Sequence, residues 1–367
     1  MRQFNSYLIL GGAGLVGFQV CRAIAKKLNP GRVIIASLYE SEARFSRDAL
    51  ASEFPDIIWE FAHGNLFVPM ELAYKRRSEI SDSAVHRSQI LDHIFGDFEQ
   101  AYTSNALATL IREHKPNVIV DCVNTATAIS YQDVFGSTAR VRERLLAEDN
   151  SSEELAGLRE EIEVLMMSQG PPQLIRHLRL LFAACQETDV SVYVKVGTTG
   201  TGGMGLNIPY THSEDRPSSK LLHKTEVAFG HTGLLFLMAR TPGAPIVKEV
   251  KPAAMVGYRA VKYEAVAGPD GSIQHLFEPK ELSVGSIEQL NLRDSRENYD
   301  DLGELQTTVV NTGENGVFAR GEFGAITAIG QMEFVTPEEI AQTVVLEIRG
   351  ATTGRDVISA LDSTVID

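Results

Sequence analysis

Three glycines at every third position, Gly11, Gly14 and Gly17, follow directly on the apolar segment Tyr7–Leu10 in the string Gly11-Gly12-Ala13-Gly14-Leu15-Val16-Gly17. An apolar strand that runs into such a string, and a helix that starts from it, restrict the chain to few folds. Glycines keep side chains off the turn, so backbone N–H groups and the N-terminus of the next helix can approach a pyrophosphate. Gly17 then lets helix and strand pack closely. The segments that follow agree, with helical spacing over Val16–Leu28 and a second buried strand at Val33–Ala36. The expected cofactor-binding residues here are Gly11, Gly12, Gly14, Leu15, Val16 and Gly17.

The β-turn-α-β rhythm continues. Apolar runs at Ile57–Phe61, Val118–Val123, Val190–Val196 and Ile246–Val250 are each preceded by a stretch that reads as helix. Strands that alternate with helices and are apolar along their whole length imply a parallel sheet covered on both faces. The expected fold is α/β: a doubly wound parallel Rossmann sheet over residues 1–257 with a smaller C-terminal substrate part over 258–367. Two polar, helix-prone stretches break the rhythm and read as helical insertions, about 70–105 with Lys75-Arg76-Arg77 and about 133–170 with Glu153-Glu154 and Glu160-Glu161. Charge runs of this kind predict solvated helix faces. Beyond Gly257, turn signals replace the repeat. Helices are expected at Pro337–Ile348, opened by the capping box Thr336/Glu339, and at Thr353–Ala360.

Composition narrows the partners. The 367 residues are 44% hydrophobic and carry 48 acidic against 34 basic residues, a formal charge of −14. Such a surface repels phosphate backbones and anionic headgroups, so neither nucleic acid nor a membrane is an expected partner, and a small-molecule substrate is. No window approaches the ~20 apolar residues of a membrane span. Cys21, Cys122 and Cys185 lie far apart inside apolar segments and read as buried free thiols of a cytoplasmic protein.

The choice of dinucleotide rests on the end of the second strand, where an acidic residue would hold the adenosine ribose and exclude a 2′-phosphate. That position is Ser37, with Arg44 and Arg47 close behind, which favours NADP. Glu40, three residues after Ser37, is the argument for NAD.

With the glycine turn, Gly64-Asn65-Leu66 after the third strand, Asn124 after the fourth and Lys224 on a later helix, the chain resembles the short-chain dehydrogenase/reductase superfamily, above all its extended or atypical branch. The resemblance spans residues 7–66, 106–130 and 172–257. It implies an NAD(P)-dependent oxidoreductase of a carbonyl or alcohol, possible as a homodimer. Asn65 and Leu66 would lie against the adenine, Asn124 beside the cofactor, and the segment around Pro252 along the nicotinamide carboxamide. The family's chemistry needs a Ser or Thr hydroxyl, a Tyr to pass the proton and a Lys four residues later. Thr199, ahead of Thr198, would supply the hydroxyl and Lys224 the lysine.

The tyrosine position then holds Lys220. Tyr210 on the preceding loop is one substitute acid; Lys220, with its ammonium disfavoured by Lys224, is another. If neither serves, the alternative is a dinucleotide-binding sensor without turnover. His212, His223 and His231 lack carboxylate or thiolate partners at ligand spacing, so no metal is expected. Tyr258, Tyr263, Phe277 and Phe318 would line the pocket for a medium-sized, partly hydrophobic substrate.

Overall fold

The computed structural model describes residues 4–124, 134–146, 151–197, 219–250, 260–266, 272–281, 298–311, 317–320 and 336–366. Its centre is a six-stranded parallel sheet in the order β3-β2-β1-β4-β5-β6, formed by β1 (Ser6–Leu10), β2 (Arg32–Ser37), β3 (Ile58–His63), β4 (Val118–Asp121), β5 (Val192–Val196) and β6 (Ile246–Val250). This is the doubly wound Rossmann order, in which the direction of winding reverses between β1 and β4. Every residue of β1 is buried because it pairs on both sides, Leu8 opposite Ile34 of β2 and Ile119 of β4. An apolar run without alternation has this cause: both faces of the strand meet packed helices.

Helices α1 (Leu15–Leu28), α2 (Glu40–Glu53), α6 (Ala106–His114), α9 (Gly170–Glu187) and α10 (Ser219–Ala239) make the crossovers. The two expected insertions are helical. Between β3 and β4 lie a 3-10 turn (Met70–Leu72), α3 (Arg77–Ser81), α4 (Ala84–Phe95) and α5 (Phe98–Ser104). Between β4 and β5 lie α7 (Val134–Leu146) and α8 (Ser152–Met167) ahead of α9. Local chemistry sets their starts: Ser83, Asp97, Asn105 and Ser151 each accept from a backbone N–H of the first turn.

The charge runs named in the sequence are exposed or partly exposed, as expected, and several of their members also pair across helices. The Arg87 side chain is only 6% exposed and pairs with Glu163 at 2.9 Å and Glu160 at 3.1 Å, joining α4 to α8. Arg140 pairs with Glu161 and Arg144 with Glu154, both at 2.9 Å, joining α7 to α8. These runs staple the insertions to one another. A sequence window cannot show this, because Arg87, which Glu160 and Glu163 share, lies more than seventy residues earlier.

The chain divides into two compact units, Met1–Thr201 with Ser219–Ala253 and Val335–Asp367, and Gly202–Ser218 with Ala254–Phe334. The C-terminal helices therefore do not close the substrate part, as a boundary at 257 would require. Helix α11 (Pro337–Ile348), capped by Thr336 and Glu339 as expected, packs on α1. Helix α12 (Val357–Ile366) packs on β6 and α10. Lys248 of β6 donates to Glu347 at 2.5 Å and to Asp356 at 3.5 Å. Asp356 also takes the N–H groups of Glu249 and Ile358, both at 3.1 Å. That second contact moves the start of the last helix from Thr353, whose own N–H and hydroxyl go to Glu347, to Val357. The second unit holds β7 (Ala260–Ala265), β10 (Gln306–Asn311) and β11 (Val317–Ala319) in an antiparallel sheet, and the pair β8 (His275–Pro279) and β9 (Tyr299–Glu304). Of the expected pocket residues there, Tyr263 and Phe277 are exposed, Phe318 is placed by its backbone on β11, and Tyr258 lies outside the described residues.

Cys21 and Cys185 are buried and Cys122 partly so, and all three thiols are free. No helix is long and apolar enough to cross a membrane among the described residues.

Candidate functional site

The turn between β1 and α1 is made of backbone. Gly11 adopts φ +71°, a left-handed conformation that favours glycine. A Cβ on Gly11 would stand 3.1 Å from the Cys122 carbonyl carbon and the Val123 nitrogen. One on Gly17 would stand 2.1 Å from the Gly11 oxygen and 2.8 Å from the Gly12 Cα. The turn is pinned by Gly14 N–H to the Gly11 carbonyl and Gly12 N–H to the Ala36 carbonyl, both at 3.0 Å. Gly14 is the N-cap of α1 and supplies no side-chain acceptor, and Leu15 is 59% exposed. The first N–H groups of α1 thus have no capping side chain and face open space, which is what a helix needs to receive an anion. The turn fits the pyrophosphate of a dinucleotide.

A cavity of about 960 Å³ opens beside it. Gly11, Ser37, Asn65 and Leu66 of the expected cofactor residues line it, together with Val123. Gly12, Gly14, Leu15, Val16, Gly17 and Asn124 belong to the turn and to the loop after β4 and are not part of its lining. Gly64, at φ +122°, bends the chain after β3 while its N–H donates to the Ser37 carbonyl at 3.0 Å. The Asn65 side-chain oxygen accepts from Phe67 N–H at 3.0 Å and so shapes its own loop.

Arg44, expected on a 2′-phosphate, is placed elsewhere. It pairs with Glu40 at 2.5 Å and lies over the Phe61 ring at 5.0 Å, beside Arg47 on the same ring. One helical turn separates Glu40 from Arg44, so α2 closes this pair within itself. Arg44 holds the Glu40 carboxyl below its usual range through a hydrogen bond and its charge. Glu40 lines the cavity, and Ser37 donates to Glu42 at 3.2 Å. Lys75 and Arg76, from the loop after β3, and Arg77, at the start of α3, also line the cavity.

Thr199, Tyr210 and Pro252 lie outside the described residues, as does His212. Lys220 and Lys224 are placed by their backbone on α10, one turn apart. Among the described residues no cluster of three His, Cys, Asp or Glu side chains could hold a metal.

Sequence reasoning missed a buried ion pair behind Val123 and the far wall. Asp121 of β4 and Lys195 of β5 form this pair at 3.0 Å. The Asp121 carboxylate also accepts from Tyr193 Oη at 2.8 Å and from Val123 N–H at 2.9 Å. Lys195 Nζ donates to the Val123 carbonyl as well. Both polar groups of Val123 are thereby held at the point where the turn after β4 meets Gly11. A buried pair of opposite charges is tolerated because each end is hydrogen-bonded. Burial, with Asp121 beside it, pushes the Tyr193 hydroxyl well above its ordinary range, and burial pushes the Cys122 thiol up to about 12.

The far wall is helix α9. Gln173, Arg176, His177 and Leu180 line the cavity at helical spacing, while Leu174, Leu178, Leu181 and Cys185 face the core. A polar stripe on a helix whose other face is fully apolar was the available signal. Arg176 secures this wall to α4 by donating to the Ile94 carbonyl at 2.8 Å and the Gly96 carbonyl at 2.7 Å.

With this geometry in view, relatives can be compared. Residues 277–367 match the family model of the beta-methylindole-3-pyruvate reductase C-terminal domain. That is the last quarter of the chain, across β8 to β11 and both C-terminal helices. No curated protein matches the sequence. Similar solved structures are remote. A bulky-bulky ketone specific alcohol dehydrogenase from Comamonas testosteroni is 10% identical, with a TM-score of 0.36, over 69% of this chain and 74% of that one. A short-chain dehydrogenase from Sphingobium yanoikuyae in complex with NADPH is 12% identical, with a TM-score of 0.35, over 68% and 72%. The Bordetella bronchiseptica enzyme WbmG in complex with NAD is 12% identical, with a TM-score of 0.31, over 69% and 55%. The assignment of the fold rests on the strand order of this chain itself.

Proposed function

We propose that the chain is an NAD(P)-dependent oxidoreductase of a carbonyl or alcohol substrate. The observation that carries this reading is the glycine turn: a helix N-terminus without a capping side chain, at the winding reversal of a Rossmann sheet, beside a cavity large enough for a cofactor half and a small substrate. The match of residues 277–367 to a reductase domain supports it. The matched family's name refers to a 3-pyruvate compound; for this chain the proposal takes only the class, a ketone or its alcohol.

A bound nicotinamide dinucleotide supplies the hydride chemistry. The glycine turn binds its pyrophosphate, and the Gly64–Leu66 bend faces its adenosine. Thr199 holds the substrate oxygen, Lys224 the ribose, and Tyr210 or Lys220 handles the proton. NADP is the preferred cofactor, with Lys75 rather than Arg44 meeting the 2′-phosphate, since Ser37 leaves room and Arg44 is engaged by Glu40. The second reading is NAD, favoured by the position of the Glu40 carboxylate on the cavity lining.

Titration with NADPH and separately with NADH, followed by nicotinamide fluorescence, tests both readings. Saturable binding of NADPH ahead of NADH is the expected result. Binding of NADH first selects the second reading. Binding of neither by the folded protein rejects the function.

A further inference from the structure

The glycine turn accounts for one end of the cavity; the end where α9 faces Phe67 has a chemistry of its own. His177 is only 7% exposed and lines the cavity. Its ring nitrogens take no hydrogen-bond partner from the described residues, and neither is sealed within the packing. They open on the cavity, so their hydrogen-bonding capacity is available to a molecule bound there. The neighbouring charges do not take it up. Asp121 is satisfied by Lys195, Tyr193 and Val123 N–H, and the Phe67 ring meets the imidazole only as an aromatic face, with centroids 4.6 Å apart.

The state of the ring defines what it can receive. Burial pushes the His177 pKa down to about 4; the nearby Asp121 acts against this shift, and Lys195 and His93 add to it. The imidazole is therefore neutral at pH 7 and has one N–H to donate. A neutral donor in a confined site suits an uncharged oxygen better than an anion, and holding such an oxygen is how a neutral histidine polarises a carbonyl. Phe67 against the imidazole and Leu180 on the same helix offer an apolar body a surface, while Gln173 and Arg176 make the rest of that wall polar.

We propose that His177 is a substrate-contacting residue, donating a hydrogen bond from its neutral ring to the carbonyl or hydroxyl oxygen of an uncharged, partly apolar molecule bound between α9 and Phe67. The ring keeps its proton and orients the oxygen. Calling that molecule the substrate rests on the oxidoreductase reading; the site itself does not depend on the cofactor.

The test uses the full chain with ¹⁵N-labelled histidine and no dinucleotide. Acetophenone, a flat apolar body with a ketone, is the probe, and ethylbenzene is its oxygen-free counterpart. The ring-nitrogen signals that disappear in His177→Asn are expected to shift saturably with acetophenone, and ethylbenzene is expected to bind at least about tenfold more weakly. His177→Asn, which keeps a side-chain N–H, retains acetophenone binding within about threefold, whereas His177→Phe loses about tenfold or more. Equal binding of acetophenone by the wild type and His177→Phe overturns the proposal, as does an unshifted His177 signal in the folded protein up to the solubility limit. If His177→Phe does not fold, the ring shift and the acetophenone-to-ethylbenzene ratio on the unaltered protein decide. Failure of the wild type to bind NADPH or NADH would remove the oxidoreductase reading while leaving these probe results to judge the site.

Discussion

The two ends of the cavity are built from different materials. At the glycine turn the wall is main chain: Gly11 lines the cavity, with Gly14 and Gly17 packed behind it, and the turn offers backbone N–H groups and a helix terminus in place of side chains. At α9 the wall is side chain: His177, Gln173 and Arg176 reach in from a helix held against α4. A backbone site tolerates no added atom but needs no particular neighbour. A side-chain site tolerates conservative change, yet it depends on distant segments arriving in place. The contrast explains why one end announces itself in a short string of residues and the other does not.

The harshest way to break the backbone end is Gly17→Val. Its Cβ would overlap the Gly11 oxygen at 2.1 Å, with no flexible side chain to give way. Overpacking of this kind costs about 3 kcal/mol or more. Loss of dinucleotide binding together with a large fall in melting temperature is the expected outcome, and a Val variant with wild-type titration and melting curves would refute the packing account.

The side-chain end is broken through its supports. Arg87→Met leaves Glu163, on the partly buried face of α8, with only the exposed Arg159 as partner. Losing a hydrogen-bonded charged partner of this kind costs about 1.5–3 kcal/mol. Arg76→Ala, at an exposed pair with Glu79, should cost less than about 1 kcal/mol. Urea denaturation of both variants measures the difference; equal midpoints would mean that the insertions are not stapled through Arg87.

Acid sharpens the comparison, because the buried histidines sit at the α9 end. His93 and His177 both have pKa values pushed down to about 4, in each case mainly by burial. An unfolded histidine titrates near 6.5. Between these values the unfolded chain binds protons that the folded chain refuses, so stability is fully present above about pH 6.5 and lost as pH falls toward 4. Each histidine contributes up to about 3 kcal/mol to this loss. The urea midpoint should fall between pH 7 and pH 4.5, with a shallower slope in His177→Asn; an unchanged slope in that variant would contradict the assignment.

A smaller effect, on binding alone, concerns the phosphate. Lys75→Ala should weaken NADPH binding about tenfold, or about 1.4 kcal/mol, and leave NADH nearly unchanged. A matching loss from Arg44→Ala instead would return the phosphate to the residue that α2 now pairs with Glu40.

These cases separate what was legible from what was not. The strands, the turn and α1 were readable because apolar runs and glycine spacing are local consequences of a buried parallel sheet. The Thr336/Glu339 capping box was readable for the same reason, since its four residues contain both partners. The boundary at 257 misled because turn signals mark where a repeat stops and not where the chain later returns: α11 goes back to α1, which begins more than three hundred residues earlier. Arg44 was readable as a residue type that suits a phosphate, but its pair with Glu40 on the same helix was not.

The sequence by itself therefore determined the sheet and the glycine turn, because backbone geometry follows from neighbouring residues. Only the tertiary structure decided that Asp121 and Lys195 form a buried pair, that Arg87 joins two insertions, and that His177 turns its ring into a cavity. Those facts depend on side chains brought together across crossovers, and the free energy of burying a charge or an imidazole is set by partners that no local window contains.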